Sequence, residues 1–293
     1  MTAPDTASAA TMIAAAIGRA GQLATLPEIA LQVMRVAEDP QSTGDDLNRV
    51  LSNDPTLSAR VLKIVNSAYY GVRREVTSIG TAIAILGFGA VKSIAIAASL
   101  TRMFKAGTIA GAFEARELWK HSIAVATASR LLAARCKVVE PNDAFLAGLM
   151  HDIGIVVEMQ SCREAFTEVV TAVVGEPSLG FRDAETRFIG ANHEAFGEAL
   201  CVTWRFPIAL QRVTAYHHRP LELSDSVRAL TAIVHVADHL AARAGVGYGR
   251  TVDGADIDRA LLAALRLTDD DLDAVAGTLA DQVAQVFPLL TGE

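Results

Sequence analysis

The run Leu149-Met150-His151-Asp152-Ile153-Gly154 decides how the rest of this chain is interpreted. It continues the apolar stretch 145–148, so a histidine and an aspartate stand side by side in a segment that we expect to be buried. Burying an uncharged polar group without a partner costs roughly 2–7 kcal/mol, and burying an ion costs more. The simplest partner for both side chains is a metal ion, which requires further ligands from elsewhere in the chain.

Length and composition favour an all-α fold. The chain has 293 residues, enough for a large core; alanine and leucine are abundant and aromatic residues make up 5%. A net charge of −7 without a long basic tract argues against nucleic acid or an anionic membrane as the main partner. Cys136, Cys162 and Cys201 are far apart and form no CxxC pair, so we expect a reducing, cytoplasmic environment and no structural disulfide.

One segment, residues 79–100, is apolar enough to be compared with a membrane span. Lys92 lies inside this segment, and Gly87 and Gly89 divide it into two parts. We therefore expect a pair of buried helices and no membrane-spanning segment.

Apolar residues at helical spacing divide the rest of the chain into helices. We place the boundary between two lobes in the glycine-containing linker Lys105–Gly111, and we expect Pro141 to open the helix that carries His151 and Asp152. The predicted divisions are a leader helix at 1–22, a main domain at 23–222 with an N-terminal helical lobe (23–110) and a second lobe (111–222), and a C-terminal helical extension (223–293) that completes the second lobe.

Two short helices in the first lobe also fit a helix-turn-helix. They meet at Asn53-Asp54-Pro55, and the second would direct Arg60 and Lys63 towards phosphates. This basic patch is small and the chain is acidic, so the favoured interpretation is an ordinary packed helical lobe.

Further imidazoles and carboxylates lie within apolar helical patterns or at helix ends of the second half. Nitrogen and oxygen ligands without cysteine are typical of one or two Fe, Mn, Mg or Zn ions rather than of structural zinc. Two such ions with open positions can activate water and bind a phosphoryl oxygen. The candidate metal ligands are Glu117, His121, His151, Asp152, His193, His217, His218 and Asp238.

A simpler explanation exists for each of these residues taken alone. A single histidine in a helix is more often a hydrogen-bonded core residue than a ligand, and we assign His235 and His239 to that class. Glu117 is the weakest candidate, since it and Lys120 could both be solvated. The adjacent pair His151-Asp152 is harder to bury without a metal, and the joint pattern favours a metal site.

These residues, together with motifs in the first lobe, resemble the HDOD family, a signalling relative of the HD phosphohydrolases. The resemblance covers roughly residues 23–240. It implies an all-helical fold in which an N-terminal helical lobe packs against an HD-like lobe. The motifs are Leu26-Pro27, the run 53–62, the run 66–71, Ala82-Ile83-x-x-Leu86-Gly87, Trp119-x-His121-Ser122, His151-Asp152-Ile153-Gly154 and His217-His218-x-Pro220.

The family resemblance also implies a bacterial signal-transduction role. Members often occur beside response-regulator or cyclic-di-nucleotide domains, so other signalling proteins are the expected partners. Many members lack the metal ligands and act as regulatory modules. Here all eight candidate ligands match metal-binding positions of the related HD-GYP phosphodiesterases. Two features depart from those enzymes: Ile155 replaces a lysine, and the run 219–222 replaces an acidic residue and the Gly-Tyr-Pro signature.

Two functional hypotheses follow. In the first, the chain is a cytoplasmic regulatory HDOD protein that acts through protein or ligand interaction, with a metal site in its HD-like lobe and a phosphorylated small molecule as a candidate ligand. In the second, it is an active metal-dependent phosphohydrolase or phosphodiesterase on a nucleotide or other phosphoester, and Asp152 bridges the metals as the catalytic residue.

Overall fold

A computed structural model describes residues 6–23, 28–104, 108–252 and 257–291. These residues form an all-α fold, as predicted, with one small antiparallel hairpin. The first helices are α1 (Thr6–Leu23), α2 (Glu28–Glu38), α3 (Gly44–Ser52), α4 (Pro55–Val65), α5 (Ile79–Leu86) and α6 (Phe88–Leu100). The hairpin strands are β1 (Thr108–Ile109) and β2 (Phe113–Glu114). The helices after the hairpin are α7 (Ala115–Cys136), α8 (Pro141–Met150), α9 (Ile153–Ser161), α10 (Arg163–Gly175), α11 (Phe181–Phe188), α12 (His193–Thr203), α13 (Ile208–Tyr216), α14 (Asp225–Arg243), α15 (Arg259–Leu265) and α16 (Asp269–Thr291).

Local sequence signals account for the helix boundaries in the first group, α2–α6. The Asp54 carboxylate accepts a hydrogen bond from the Leu57 amide at 2.9 Å, and Pro55 occupies the first helical position of α4. Gly87 separates α5 from α6 with a φ of 86°, a backbone conformation that favours glycine. Helix α6 is buried along most of its length and packs against α2, α4 and α5.

The two short helices α3 and α4 belong to this packed group. The Arg60 guanidinium donates to the backbone oxygen of Ala98 at 3.0 Å, so it satisfies a carbonyl near the end of α6. Lys63 is exposed. One of the two cations on which the helix-turn-helix interpretation depends is therefore engaged within the fold, which favours the packed-lobe interpretation.

Helix α7 lies at the centre of the second group of helices, α7–α16. It packs against α8, α14 and α16, and α6 from the first group packs against α8. The leading helix α1 lies against α9 and α12 and buries Ala16 and Ile17. No helix within the described residues combines the length and apolarity that a membrane crossing needs.

Two local predictions differ from the structure. The predicted linker 105–111 holds, in its described part, strand β1, which pairs with β2 through Ile109 and Phe113, both buried. Helix α8 ends at Met150 instead of continuing through His151 and Asp152, which form the turn into α9. The motif Leu26-Pro27 and residues 105–107 of the linker lie outside the described residues.

Candidate metal centre

Five elements of the second group bring seven of the eight candidate ligands together. Helix α7 supplies His121, the α8–α9 turn supplies His151 and Asp152, and α14 supplies Asp238. The first residue of α12 and the C-terminal end of α13 supply the remaining three ligands, His193, His217 and His218. All seven are buried except His218, which keeps partial exposure to solvent.

The seven residues form two groups. In one, the ligand atoms of His121, His151 and Asp238 lie within 4.8 Å of one another, with His121 Nε2 at 2.9 Å from Asp238 Oδ1. The other group contains Asp152, His193, His217 and His218, and its ligand atoms obey the same limit. Each group is large enough to bind one ion.

Asp152 lies between the two groups. Its Oδ1 is 3.5 Å from His193 Nε2 and 3.4 Å from His217 Nε2, whereas its Oδ2 is 3.2 Å from His151 Nε2. One carboxylate oxygen therefore faces each group. This is the arrangement that a bridging carboxylate adopts between two metal ions.

The histidine rings are oriented by bonds on their far side. Nδ1 of His151 is 2.7 Å from the carbonyl oxygen of Gly148, and Nδ1 of His217 is 3.1 Å from that of Val213. A carbonyl oxygen only accepts, so Nδ1 carries the proton in both rings. Nε2 then directs its lone pair towards the centre, which is the tautomer that metal-binding histidines use.

His193 is held by a carboxylate in the same way. Its Nδ1 lies 2.8 and 2.9 Å from the oxygens of Glu185, and its backbone amide donates to Glu185 Oε2 at 3.1 Å. Glu185 is itself fully buried on α11. A carboxylate behind a ligand histidine makes the imidazole more basic and fixes its orientation.

Several polar atoms at the centre lack aligned hydrogen-bond partners, and this bears on whether metal ions fit there. Three imidazole nitrogens also converge, because His193 Nε2 is 3.3 Å from His217 Nε2 and 3.0 Å from His218 Nε2. His151 Nε2, both oxygens of Asp152 and Oδ1 of Asp238 are buried without an aligned hydrogen bond among the described residues. Cations between these atoms would satisfy all of them, so the donor set fits a metal pair.

The carboxylates dominate the electrostatics of the centre. Burial by itself lowers the pKa of His151 and of His193, but Asp152 beside the first and Glu185 beside the second raise each pKa to about 9. Burial also opposes ionisation of Asp152, yet the neighbouring His151, His217 and His193 hold its pKa well below the usual value. Without metal, the centre therefore favours positive charge on His151 and His193.

The eighth candidate, Glu117, does not join either group. It is partly exposed on α7, and its backbone oxygen accepts a hydrogen bond from the Tyr248 amide at 3.0 Å. His235 and His239 also lie outside the two groups: their rings pack together at 4.5 Å, and His235 Nδ1 is 2.8 Å from the backbone oxygen of His217. His239 is buried and His235 is partly buried, and neither belongs to a ligand group.

Sequence reasoning missed helix α11 and its carboxylate. Phe181, Ala184, Glu185 and Phe188 follow helical spacing, so the same apolar periodicity that predicts core residues places Glu185 on the buried face. A second buried acid, Glu158, lies near Glu185: burial and the Glu185 charge raise the pKa of Glu158 well above its usual value. For both glutamates, the signal in the sequence is an acidic residue at a position where the helical pattern places apolar residues.

An all-helical fold that gathers the His…His-Asp…Asp residues from several helices defines an HD-type protein. The family model for the HDOD domain matches residues 23–220, so this chain belongs to the HDOD family. That match covers more than half of the chain and includes the ligand candidates up to His218, with Asp238 beyond it.

Comparison with known proteins agrees with this assignment. An HDOD domain protein of unknown function from Geobacter sulfurreducens is 25% identical, with a TM-score of 0.81 over 96% of this chain and 99% of its own. A candidate signal transduction protein from Marinobacter aquaeolei VT8 is 21% identical, with a TM-score of 0.79 over 97% of this chain and 66% of its own. An uncharacterised protein of Treponema pallidum (strain Nichols) is 24% identical over 238 residues; these are 78% of this chain and 44% of that protein.

Proposed function

We propose that this chain is a regulatory HDOD protein that acts through protein or ligand binding, with a divalent metal pair in its HD-like lobe. The position of Asp152 carries the proposal, because each of its carboxylate oxygens faces a separate group of ligand atoms. A buried carboxylate without aligned hydrogen bonds is otherwise costly. Family membership supports the signalling role, with response-regulator or cyclic-di-nucleotide-related proteins in a bacterial cytoplasm as the proposed partners.

The residues divide naturally between two ions. His121, His151 and Asp238 would hold one ion, Asp152 would bridge, and His193, His217 and His218 would hold the other. Five imidazoles among seven ligands favour Fe, Mn or Zn over Mg, which prefers oxygen ligands. When bound, the ions supply a Lewis-acidic surface that attracts phosphoryl oxygens. A phosphorylated small molecule is therefore the proposed ligand.

The domain division that we propose follows from the same site. Helix α14 begins after residue 223 and contributes Asp238, and it packs against α7. This supports a C-terminal extension, 223–293, that completes the HD-like lobe. The leader helix, 1–22, and the two lobes, 23–110 and 111–222, are retained as proposed units.

Metal content tests the proposal directly. The purified chain, and the chain reconstituted with Fe, Mn or Zn, should contain close to two ions per molecule by elemental analysis. Asp152→Asn should lose at least one ion, because the bridge is gone. Glu117→Gln is the matched control on α7 and should keep the wild-type content, since its side chain lies outside both groups. Absence of metal from the wild-type chain after reconstitution would refute the proposal.

A second candidate function is metal-dependent phosphoester hydrolysis. The observation that favours it is the nearly complete ligand set, with solvent reaching His218 at one side. Ile155, buried in α9 where the related phosphodiesterases have a lysine, weighs against the hydrolysis of cyclic-di-GMP. Sustained turnover of a phosphoester panel by the metal-loaded chain, abolished in Asp152→Ala, would establish hydrolysis and overturn a purely regulatory role.

A further inference from the structure

A charged cluster lies beside the second ligand group and plays no part in holding metal. Glu194 directly follows His193, and Arg219 directly follows His218. Glu194 Oε2 accepts from Arg182 Nη2 at 2.5 Å and from Arg219 Nε at 3.3 Å. We call these three residues the Arg–Glu–Arg cluster. Two guanidinium groups share the buried Glu194 carboxylate, and Arg219 is paired with Glu222 as well.

The two arginines differ in how far they are engaged. Arg219 also donates from Nη1 to Glu222 at 2.9 Å and from Nη2 to the backbone oxygen of Ala215 at 3.0 Å. Arg182 donates to Glu194, and its buried Nε has no hydrogen-bond partner among the described residues. A buried N–H of a guanidinium without an acceptor is costly. Arg182 therefore has donors available for an incoming acceptor.

The cluster lies beside the partly exposed edge of the centre. His218 is the ligand candidate of the two groups that retains exposure, and Arg182 donates to Glu194, the residue that directly follows the ligand candidate His193. Arg182 and Glu185 are three residues apart on α11, so the helix that orients His193 through Glu185 also presents Arg182. Helix α11 thus carries both Arg182 and the carboxylate that orients the ligand candidate His193.

A purely structural ion pair between α11 and α12 explains only part of this arrangement. Arg219 is balanced by Glu222, but Arg182 Nε and Glu194 Oε1 both lack a hydrogen-bond partner within the described chain. An open guanidinium N–H donor is what an anion site needs. Guanidinium groups match phosphate oxygens in geometry as well as charge.

We propose that Arg182 binds a phosphate oxygen of the ligand that occupies the metal centre, and that Glu194 competes with this ligand for the guanidinium. The inference rests on the proposed metal pair, because the remaining phosphate oxygens would face the ions. Arg219, tied to Glu222 and Ala215, acts as a positioning residue that holds Glu194 in place when Arg182 turns to the phosphate. The substrate or signal is then a phosphate-bearing molecule.

Inorganic phosphate is the probe, and calorimetric titration of the metal-loaded full chain is the measurement. Arg182→Gln should weaken phosphate binding by about tenfold or more, the contribution of a charge-assisted hydrogen bond. Arg182→Lys keeps the charge and should retain part of the affinity. Arg187→Gln is the matched control, since Arg187 is exposed on the same helix and packs over Phe188. Metal content should be unchanged in all three variants.

Glu194→Gln separates the proposal from a structural role. Removing the competing carboxylate should strengthen phosphate binding several-fold, a change opposite in sign to that of Arg182→Gln. If the pair were only structural, Glu194→Gln would weaken binding or leave it unchanged. Loss of folding in Arg182→Gln would therefore not remove the test, because Glu194→Gln and Arg182→Lys still decide the sign.

The failure of this inference is distinct from failure of the metal proposal. Metal-loaded wild type that binds no phosphate, or equal affinity in wild type and Arg182→Gln, overturns the subsite while the metal pair stands. If the wild type takes up no metal, the metal proposal fails and the same titration is made on the metal-free chain. There, Arg182-dependent phosphate binding supports the subsite, and binding that is independent of Arg182 overturns it.

Discussion

Gly154 shows at the scale of one residue why the His-Asp turn needs a glycine. A Cβ added there would lie 1.9 Å from the backbone oxygen of His193 and 2.7 Å from the amide nitrogen of Gly197. The first turn of α9 therefore touches the first turns of α12 backbone to backbone. This contact places Asp152 next to His193, so Gly154 positions two of the ligand candidates.

Gly154→Ala should consequently lower the free energy of unfolding by about 3 kcal/mol, because two backbone segments must separate to admit the methyl group. Metal content should fall with it, since His193 moves away from Asp152. Chemical denaturation and elemental analysis measure the two effects. Gly277→Ala on α16, where no heavy atom lies within 4 Å of the added Cβ, should instead stabilise by about 0.5–1 kcal/mol. A stable, metal-replete Gly154→Ala protein would contradict this account.

Single residues were predictable from sequence where their chemistry conflicts with their surroundings. His151, Asp152 and Asp238 are polar residues in apolar runs, and the structure brings them together. Glu117 matches a ligand position of the related enzymes and lies one turn before His121, but neither signal says whether a neighbouring element reaches that face of the helix. Arg182 lies 12 residues from Glu194, and only the packing of α11 on α12 brings the two together.

At the scale of elements, Arg130 connects three segments of the fold. Its guanidinium lies 4.5 Å from the ring centre of Tyr69 and 5.9 Å from that of Phe145. Tyr69 follows α4, Arg130 is on α7 and Phe145 is on α8, so the contact joins the first group of helices to the second. This assigns a structural role to the tyrosines of the run 66–71.

Arg130→Met should lower the free energy of unfolding by about 1 kcal/mol, because it removes a partly buried cation–π contact and keeps an apolar stem. Arg135→Met is the control on the same helix, since Arg135 is more exposed and makes a 3.7 Å contact with Asp271. Urea unfolding gives both values. Equal effects for the two variants would show that the stacking over Tyr69 contributes nothing.

Element boundaries were predictable where a side chain caps a helix. The Asn192 side chain accepts from the Ala195 amide at 3.3 Å, and Thr268 accepts from the Asp271 amide at 3.3 Å, so the residue types themselves indicate where α12 and α16 begin. The end of α8 at Met150 had no such signal. The segment that follows it packs against α12 at Gly154, a contact between segments about forty residues apart in the chain that periodicity does not reveal.

At the scale of the whole molecule, metal and folding should be linked. The ligands come from α7, α12, α13, α14 and the α8–α9 turn, so ions at the centre would tie these elements together only in the folded chain. At a free metal concentration about 100 times the Kd, binding stabilises the fold by about 2.7 kcal/mol. Removal of metal by a chelator should therefore lower the Tm by about 5–10 °C for a chain of this size. Asp152→Asn should show a much smaller change, and an unchanged wild-type Tm would argue against a metal that links these helices.

The same linkage predicts that stability depends on pH in the metal-free chain over an interval in which the metal-loaded chain changes little. In the metal-free fold the pKa of His151 and of His193 is about 9, above the ordinary value of 6.5, because carboxylates face both rings. A raised pKa stabilises the fold fully below pH 6.5, and this stabilisation is lost as the pH rises through 9. The Tm of the metal-free chain should thus fall between those pH values.

Metal binding must displace these protons, so its affinity should rise over the same interval by about tenfold per pH unit for each proton released. The gap in Tm between metal-loaded and metal-free chain should then widen from pH 6.5 to 9 and level off above it. Thermal unfolding at several pH values in metal-buffered solution measures both curves. Asp152→Asn removes the carboxylate nearest to His151, so its metal-free Tm should depend less on pH. If the difference in Tm between the two forms narrows with rising pH, metal binding does not displace protons from these imidazoles.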